Sequence, residues 1–182
     1  MLAAMNKERF WELIEKARER VPDTWEGSDI AGHASALLAR CSAQEITAAQ
    51  QTLWDLMADS YRNPLWAAAY VVNGGCSDDG FDYFRGWLIA QGRTTFERVL
   101  ADPDTLAELP GVLTAADEGI DLDCEDILSI AWNAHEKATG KELPADAFTI
   151  RYPCLDPAWD FDFDDREEMA RRLPALTALY AY

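Results

Sequence analysis

Residues 65–72 read Leu-Trp-Ala-Ala-Ala-Tyr-Val-Val, an apolar run with no polar face. Asn63-Pro64 precedes it and Gly74-Gly75 follows. Asparagine can cap a helix, proline at its first position gives up only a donor that has no intrahelical partner, and glycine ends it. A helix that is apolar all round has to be surrounded, so the segment predicts a central helix with others packed about it. The run is far too short to span a bilayer, and no window approaches the roughly 18 consecutive apolar residues that would.

Caps and apolar positions spaced at three and four mark the surrounding helices. Asn6 caps a stretch carrying Phe10, Leu13, Ile14, Ala17 and Val21, which Pro22 ends; Met5 reads as a second possible start that leaves residues 1–4 dispensable or disordered. A second helix begins near Ser28 or Asp29 and runs to Cys41. Ser42 and Glu45 form a capping box ahead of Ile46, Ala49, Leu53, Leu56, Met57 and Tyr61. Further helices are predicted from about 81 to 91, closed by Gly92, and over 96–101 behind a second box at Thr94–Glu97. A short turn of helix at 103–110 and a loop at 111–122 follow, and then a long helix capped by Asp123 and stopped by Gly140. Signals weaken over 141–157, where 148–152 is the one short strand candidate. Asp164–Glu167 is a box-like start for a C-terminal helix that bends or breaks near Pro174. The expectation is an all-α, single-domain helical bundle of six or seven helices over 1–182, with an irregular acidic C-terminal segment.

Charge narrows the partners. The chain has 16 Lys and Arg against 33 Asp and Glu, a net −17, so its average surface repels a phosphate backbone and direct nucleic-acid binding is disfavoured. Residues 92–182 carry −12 of this charge and residues 1–91 carry −5. Acids at helix starts, such as Asp123, Glu125, Asp126, Asp164, Asp165, Glu167 and Glu168, oppose the positive end of the helix dipole. The alternation Trp159-Asp160-Phe161-Asp162-Phe163-Asp164 is not covered by that account. It predicts an edge strand, or an extended segment tucking its aromatics inward while a row of carboxylates faces water. With Asp165 it forms a candidate surface for a basic partner.

Asn73 to Trp87 concentrates glycine, aspartate and one arginine between an apolar helix and an aromatic one. Ser77, Asp78 and Asp79 are candidate caps, Asp82 and Arg85 can pair at i and i+3, and Gly86 lets another backbone approach. One reading is a polar pocket in which Asp78, Asp79, Asp82, Arg85 and Trp87 meet a ligand, Asp78 or Asp79 serving as base or metal ligand, Asp82 as orienter and Arg85 as anion clamp. The other is an internal Asp82–Arg85 pair that orients two helices. Calcium-loop spacing is absent, as are the common serine-nucleophile, phosphate-loop, dinucleotide and zinc-protease motifs, and no cofactor is implied. Cys41, Cys76, Cys124 and Cys154 are too widely spaced for a zinc motif and read as buried free thiols of a reducing, cytoplasmic compartment. A Cys–His nucleophile would need Cys76 or Cys124 beside His33 or His135, and His135 lies on the Leu128–Trp132 row, as a core or rim histidine does. No secretory signal pattern begins the chain.

The stretch from Leu65 to Gly92, after a Met5-Asn6-Lys7-Glu8-Arg9-Phe10-Trp11 start, resembles the bacterial domain of unknown function 4240 family. The resemblance spans roughly residues 5–140 as a helical core, and the Trp159-Asp160-Phe161-Asp162 to Arg171-Arg172-Leu173-Pro174 ending is similar to that of actinobacterial members. It implies a stand-alone cytoplasmic bacterial domain and carries no assigned activity or catalytic residue. The residues thus favour an acidic helical binding or regulatory module that meets a basic protein partner. The alternative is a small-ligand binder or enzyme using the 73–87 segment.

Overall fold

The computed structural model describes residues 5–21 and 25–181. Residues 1–4 and Pro22, on which two expectations fell, lie outside the described residues. The described residues form ten α-helices and no strand: α1 Lys7–Arg18, α2 Ser28–Leu38, α3 Ala43–Asp59, α4 Asn63–Val72, α5 Asp78–Ala90, α6 Arg93–Ala101, α7 Pro110–Glu118, α8 Ile130–Thr139, α9 Arg166–Arg172 and α10 Pro174–Leu179. Short 3₁₀ turns lie at Pro103–Glu108, Glu125–Ser129 and Pro157–Trp159. The fold is all-α, as expected, with more and shorter helices than six or seven. Among them no helix is long and apolar enough to cross a membrane.

One cluster of buried side chains draws on all ten helices. α1 packs on α2, both α2 and α3 pack on α8, and α5 lies against the turn at Glu125–Ser129. Leu65, Ala67, Ala68, Ala69, Val71 and Val72 of α4 are buried, while Trp66 and Tyr70, one turn apart, are half-buried, so the helix is enclosed on most sides but not all round. Asn6 and Ser42 cap α1 and α3 as predicted, the latter through a complete capping box, and Gly74 and Gly75 leave α4 with positive φ.

Several predicted boundaries are overridden by tertiary contacts. Residues 111–118, expected as loop, belong to α7, because Pro110 suits a first turn and burial of Val112 and Ala115 outweighs the helix cost of Gly111. Asp123 caps nothing; the Cys124 amide is drawn to the Tyr83 carbonyl at 3.0 Å, the chain tightens into a 3₁₀ turn, and α8 starts only at Ile130. The Thr94 box is not used either. α6 begins at Arg93, whose amide is met from α1 by Glu15 Oε1 at 3.2 Å. Asn63 donates its side-chain amide to the Asp156 carbonyl at 3.0 Å instead of capping α4. Residues 148–152 are not a strand, since their one ladder-like partner is a side chain: Gln51 accepts from the Thr149 amide at 2.8 Å and donates to its carbonyl at 3.2 Å. Of the four free cysteines only Cys124 is buried, while Cys41 and Cys76 are half-buried and Cys154 is exposed.

The loop after α7 is strapped onto α4 and α5. Asn73 exchanges two hydrogen bonds with the Leu122 backbone, at 2.8 and 3.2 Å. A Cβ on Gly86 would lie 2.5 Å from the Cys124 carbonyl oxygen, so the close backbone approach anticipated there is real. Gly86→Ala, which in an open helix would stabilise, is expected to cost about 2 kcal/mol by overpacking; urea unfolding of the two proteins measures the difference.

Candidate functional site

Ser77 caps α5, its hydroxyl accepting from the Gly80 amide at 3.1 Å, and so sets Asp78 and Asp79 in the exposed first turn. One turn on, Asp82 lies on the same side and Arg85 behind it. The Arg85 side chain is 1% exposed. Its Nη1 donates to the Met57 carbonyl at the end of α3 at 2.5 Å, its Nε to the Phe81 carbonyl at 3.2 Å, and its Nη2 to the Asp82 carboxylate. The guanidinium carbon also sits 4.6 Å from the Phe81 ring centre and 5.2 Å from that of Tyr61. Trp66 stacks on the Phe81 ring, with centres 4.6 Å apart.

Above this buried layer lies a cleft of about 300 Å³ lined by Tyr61, Asp78, Asp79, Asp82 and Tyr152. Tyr152 is brought there by the irregular 141–156 segment, which Gln51 and an Arg151–Asp55 ion pair at 3.0 Å hold to α3 and Asn63 holds to the start of α4. Its ring meets Tyr61 edge-on at 5.2 Å. Sequence reasoning missed both tyrosines. By spacing Tyr61 belongs to the apolar row of α3 and Tyr152 to a strand candidate, and nothing in the sequence links two residues so far apart in the chain.

Asp78, Asp79 and Asp82 thus share the cleft wall, whereas Arg85, although bonded to Asp82, and Trp87 do not line the cleft. Arg85 is sealed beneath the cleft with each of its three nitrogens hydrogen-bonded within the chain, so it does not face the cleft as an anion clamp would. Trp87 faces elsewhere, donating to the Trp25 carbonyl at 2.8 Å. Burial raises the Asp82 carboxyl above its ordinary range despite the opposing pull of Arg85, and burial lowers Arg85. For both members, then, desolvation outweighs the pair's attraction. Burial also pushes Cys76 up to about 12 and Cys124 up to about 11, so neither thiol is activated. His135 uses Nδ1 on the Lys141 carbonyl at 2.9 Å and is buried at the bundle rim. Among the described residues no three His, Cys, Asp or Glu side chains come together to hold a metal ion.

The second candidate surface is more occupied than its sequence suggests. Trp159, Phe161 and Phe163 are half-buried and turned inward, with Asp160, Asp162 and Asp164 exposed, although the segment is a 3₁₀ turn and irregular coil and not an edge strand. Arg172 covers the aromatics, 4.5 Å from the Trp159 ring centre and 4.7 Å from Phe161. Asp164 accepts from the Tyr70 hydroxyl at 2.7 Å, Asp162 from the Asp164 amide at 3.0 Å, and Asp165 caps α9. Hydrogen bonds from Arg171 and Arg172 push Glu168 down to about 2.

An all-helical protein with an acidic, tyrosine-walled cleft is the class these features define. A family model described as protein of unknown function (DUF4240) matches residues 5–137, and the chain belongs to that family. No curated protein and no solved structure matches the chain.

Two outcomes follow for the buried pair. Asp82→Ala leaves the buried Arg85 charge without its counter-ion, with backbone carbonyls as its remaining acceptors, and is expected to cost about 3 kcal/mol, whereas Asp82→Asn, which keeps an oxygen there, costs appreciably less; urea unfolding ranks the two. The folded Asp82 carboxyl binds its proton more tightly than the unfolded one. Its contribution therefore favours folding below the ordinary aspartate range and fades as pH rises through the raised folded value, a trend that Asp82→Asn abolishes.

Proposed function

We propose that the protein is an acidic helical binding module whose partner is a basic protein surface, and that the Tyr61–Asp78–Asp79–Asp82–Tyr152 cleft receives a cationic side chain of that partner. The observation that carries this reading is the cleft itself. Asp78 and Asp79 make no ion pair with any described residue, and they stand beside two tyrosine rings, the faces of which attract cations. Asp82, neutralised in part by Arg85, supplies an acceptor whose position is fixed from below. The net charge of −17 supports the same partner, because it steers basic surfaces toward the protein and repels nucleic acid.

The Asp160–Asp165 face serves the approach more than the grip. Its aromatics are already covered by Arg172, and three of its carboxylates accept hydrogen bonds from within the chain. It contributes field, which is longer in range than contact and is screened by salt.

A short oligo-arginine peptide tests the reading. Association is expected to slow steeply with added salt. Asp78→Asn with Asp79→Asn is expected to weaken binding by about tenfold, and Asp160→Asn with Asp162→Asn, an equal change in charge, by about twofold or less. Equal losses from both pairs would reduce the cleft to general electrostatics, and no binding at low ionic strength would end the proposal. Competition by free arginine would move the assignment from a protein partner to a small cationic ligand.

A further inference from the structure

A second cavity, of about 350 Å³, opens on the other half of α5, between α1, α6 and α7. Its size falls within the usual range for small-molecule sites. Trp25 and Trp87 provide aromatic surface there, and Arg18, Gln91, Thr95 and Thr114 provide the polar atoms. The lining is held in place by hydrogen bonds to backbone. The Trp25 carbonyl accepts from Trp87 Nε1 at 2.8 Å and from Gln91 Nε2 at 2.9 Å, and Arg18 Nη1 donates to the Ala90 carbonyl at 2.7 Å. Trp25 is also wedged against Gly111, where a Cβ would fall 2.3 Å from the Trp25 Cβ.

What these bonds leave over is specific. Gln91 donates a second time to the Trp87 carbonyl, so its free atom is the Oε1 acceptor. The Thr95 hydroxyl has no partner among the described residues. Arg18 is only partly exposed and its guanidinium has five N–H groups, of which one is committed to Ala90. Its carboxylate neighbour, Glu15, lies 3.7 Å from Nε, beyond hydrogen-bond range, and turns its other oxygen to the Arg93 amide. A fixed guanidinium with spare donors beside indole surface is a recognition set for a flat, apolar body carrying a carboxylate.

We infer that this cavity is a binding site for a small aromatic carboxylic acid, with Arg18 taking the carboxylate and Trp25 and Trp87 the ring. The site is independent of the acidic cleft and shares no lining residue with it.

Indole-3-acetate and its neutral amide, indole-3-acetamide, serve as probes, followed through the side-chain indole N–H resonances of Trp25 and Trp87 in the full chain. The acid is expected to shift both resonances saturably at submillimolar concentration and to bind about tenfold more tightly than the amide. Arg18→Gln should remove that preference. Thr114→Phe, an exposed rim position, should block both probes while leaving the Ala90 contact of Arg18 in place. The inference is overturned if no saturable shift appears at millimolar acid, if acid and amide bind alike, or if binding survives Thr114→Phe. Should Arg18→Gln fail to fold, the acid-to-amide ratio on the unaltered protein decides between anion recognition and simple apolar uptake.

Discussion

The Arg85 guanidinium is the contact around which the front of the molecule is arranged. It is a full charge taken almost wholly out of water, and it is tolerated because two backbone carbonyls, one carboxylate and two aromatic faces surround it. One of those carbonyls belongs to Met57 on α3, so the side chain ties α5 to the end of α3 and fixes where Tyr61 stands. The carboxylate is Asp82, so the same group sets one wall of the cleft. Remove the cation and the Phe81 and Tyr61 rings lose the charge that lies against them; remove the anion and that charge is left with backbone carbonyls alone.

This arrangement explains why the cleft is acidic and not amphoteric. A guanidinium close to three aspartates would ordinarily make a mixed-charge pocket open to anions and cations alike. Here the guanidinium is buried below the surface, and what faces solvent is carboxylate and phenol. The energetic cost appears as a raised Asp82 and a lowered Arg85, both shifted by burial. The other charged surface, around residues 159–165, follows a different logic, since Arg172 lies over the half-buried Trp159 and Phe161 rings and Glu168 anchors it from the same helix, α9.

Local physics was legible wherever a residue acts on its near neighbours. Asn6 and Ser42 cap the helices that follow them, α4 is buried on most sides, and Pro174 divides the C-terminal helix into α9 and α10. The expectations that failed are those in which a distant group claimed the same atoms. Asp104 supplies both oxygens to the first amides of α10, some seventy residues away, and no local pattern announces such a cap. Gln51 imitates a strand for Thr149, and Tyr83 takes the amide that would have begun a helix at Asp123. In the candidate site the three aspartates were legible from helical spacing, but the partition of Arg85 beneath them and the arrival of Tyr152 were not.

From the sequence alone come the all-α class, the acidic surface, most helix starts and stops, and the pairing of Asp82 with Arg85, because each depends on composition or on residues within a turn or two of one another. Only the tertiary structure decided that Arg85 faces inward and Asp82 outward, that two tyrosines ninety residues apart share one wall, and that a separate cavity forms beside Trp25. Those outcomes turn on which side of a helix meets another element. Cap chemistry and periodicity indicate that a face exists, and packing alone selects what lies against it.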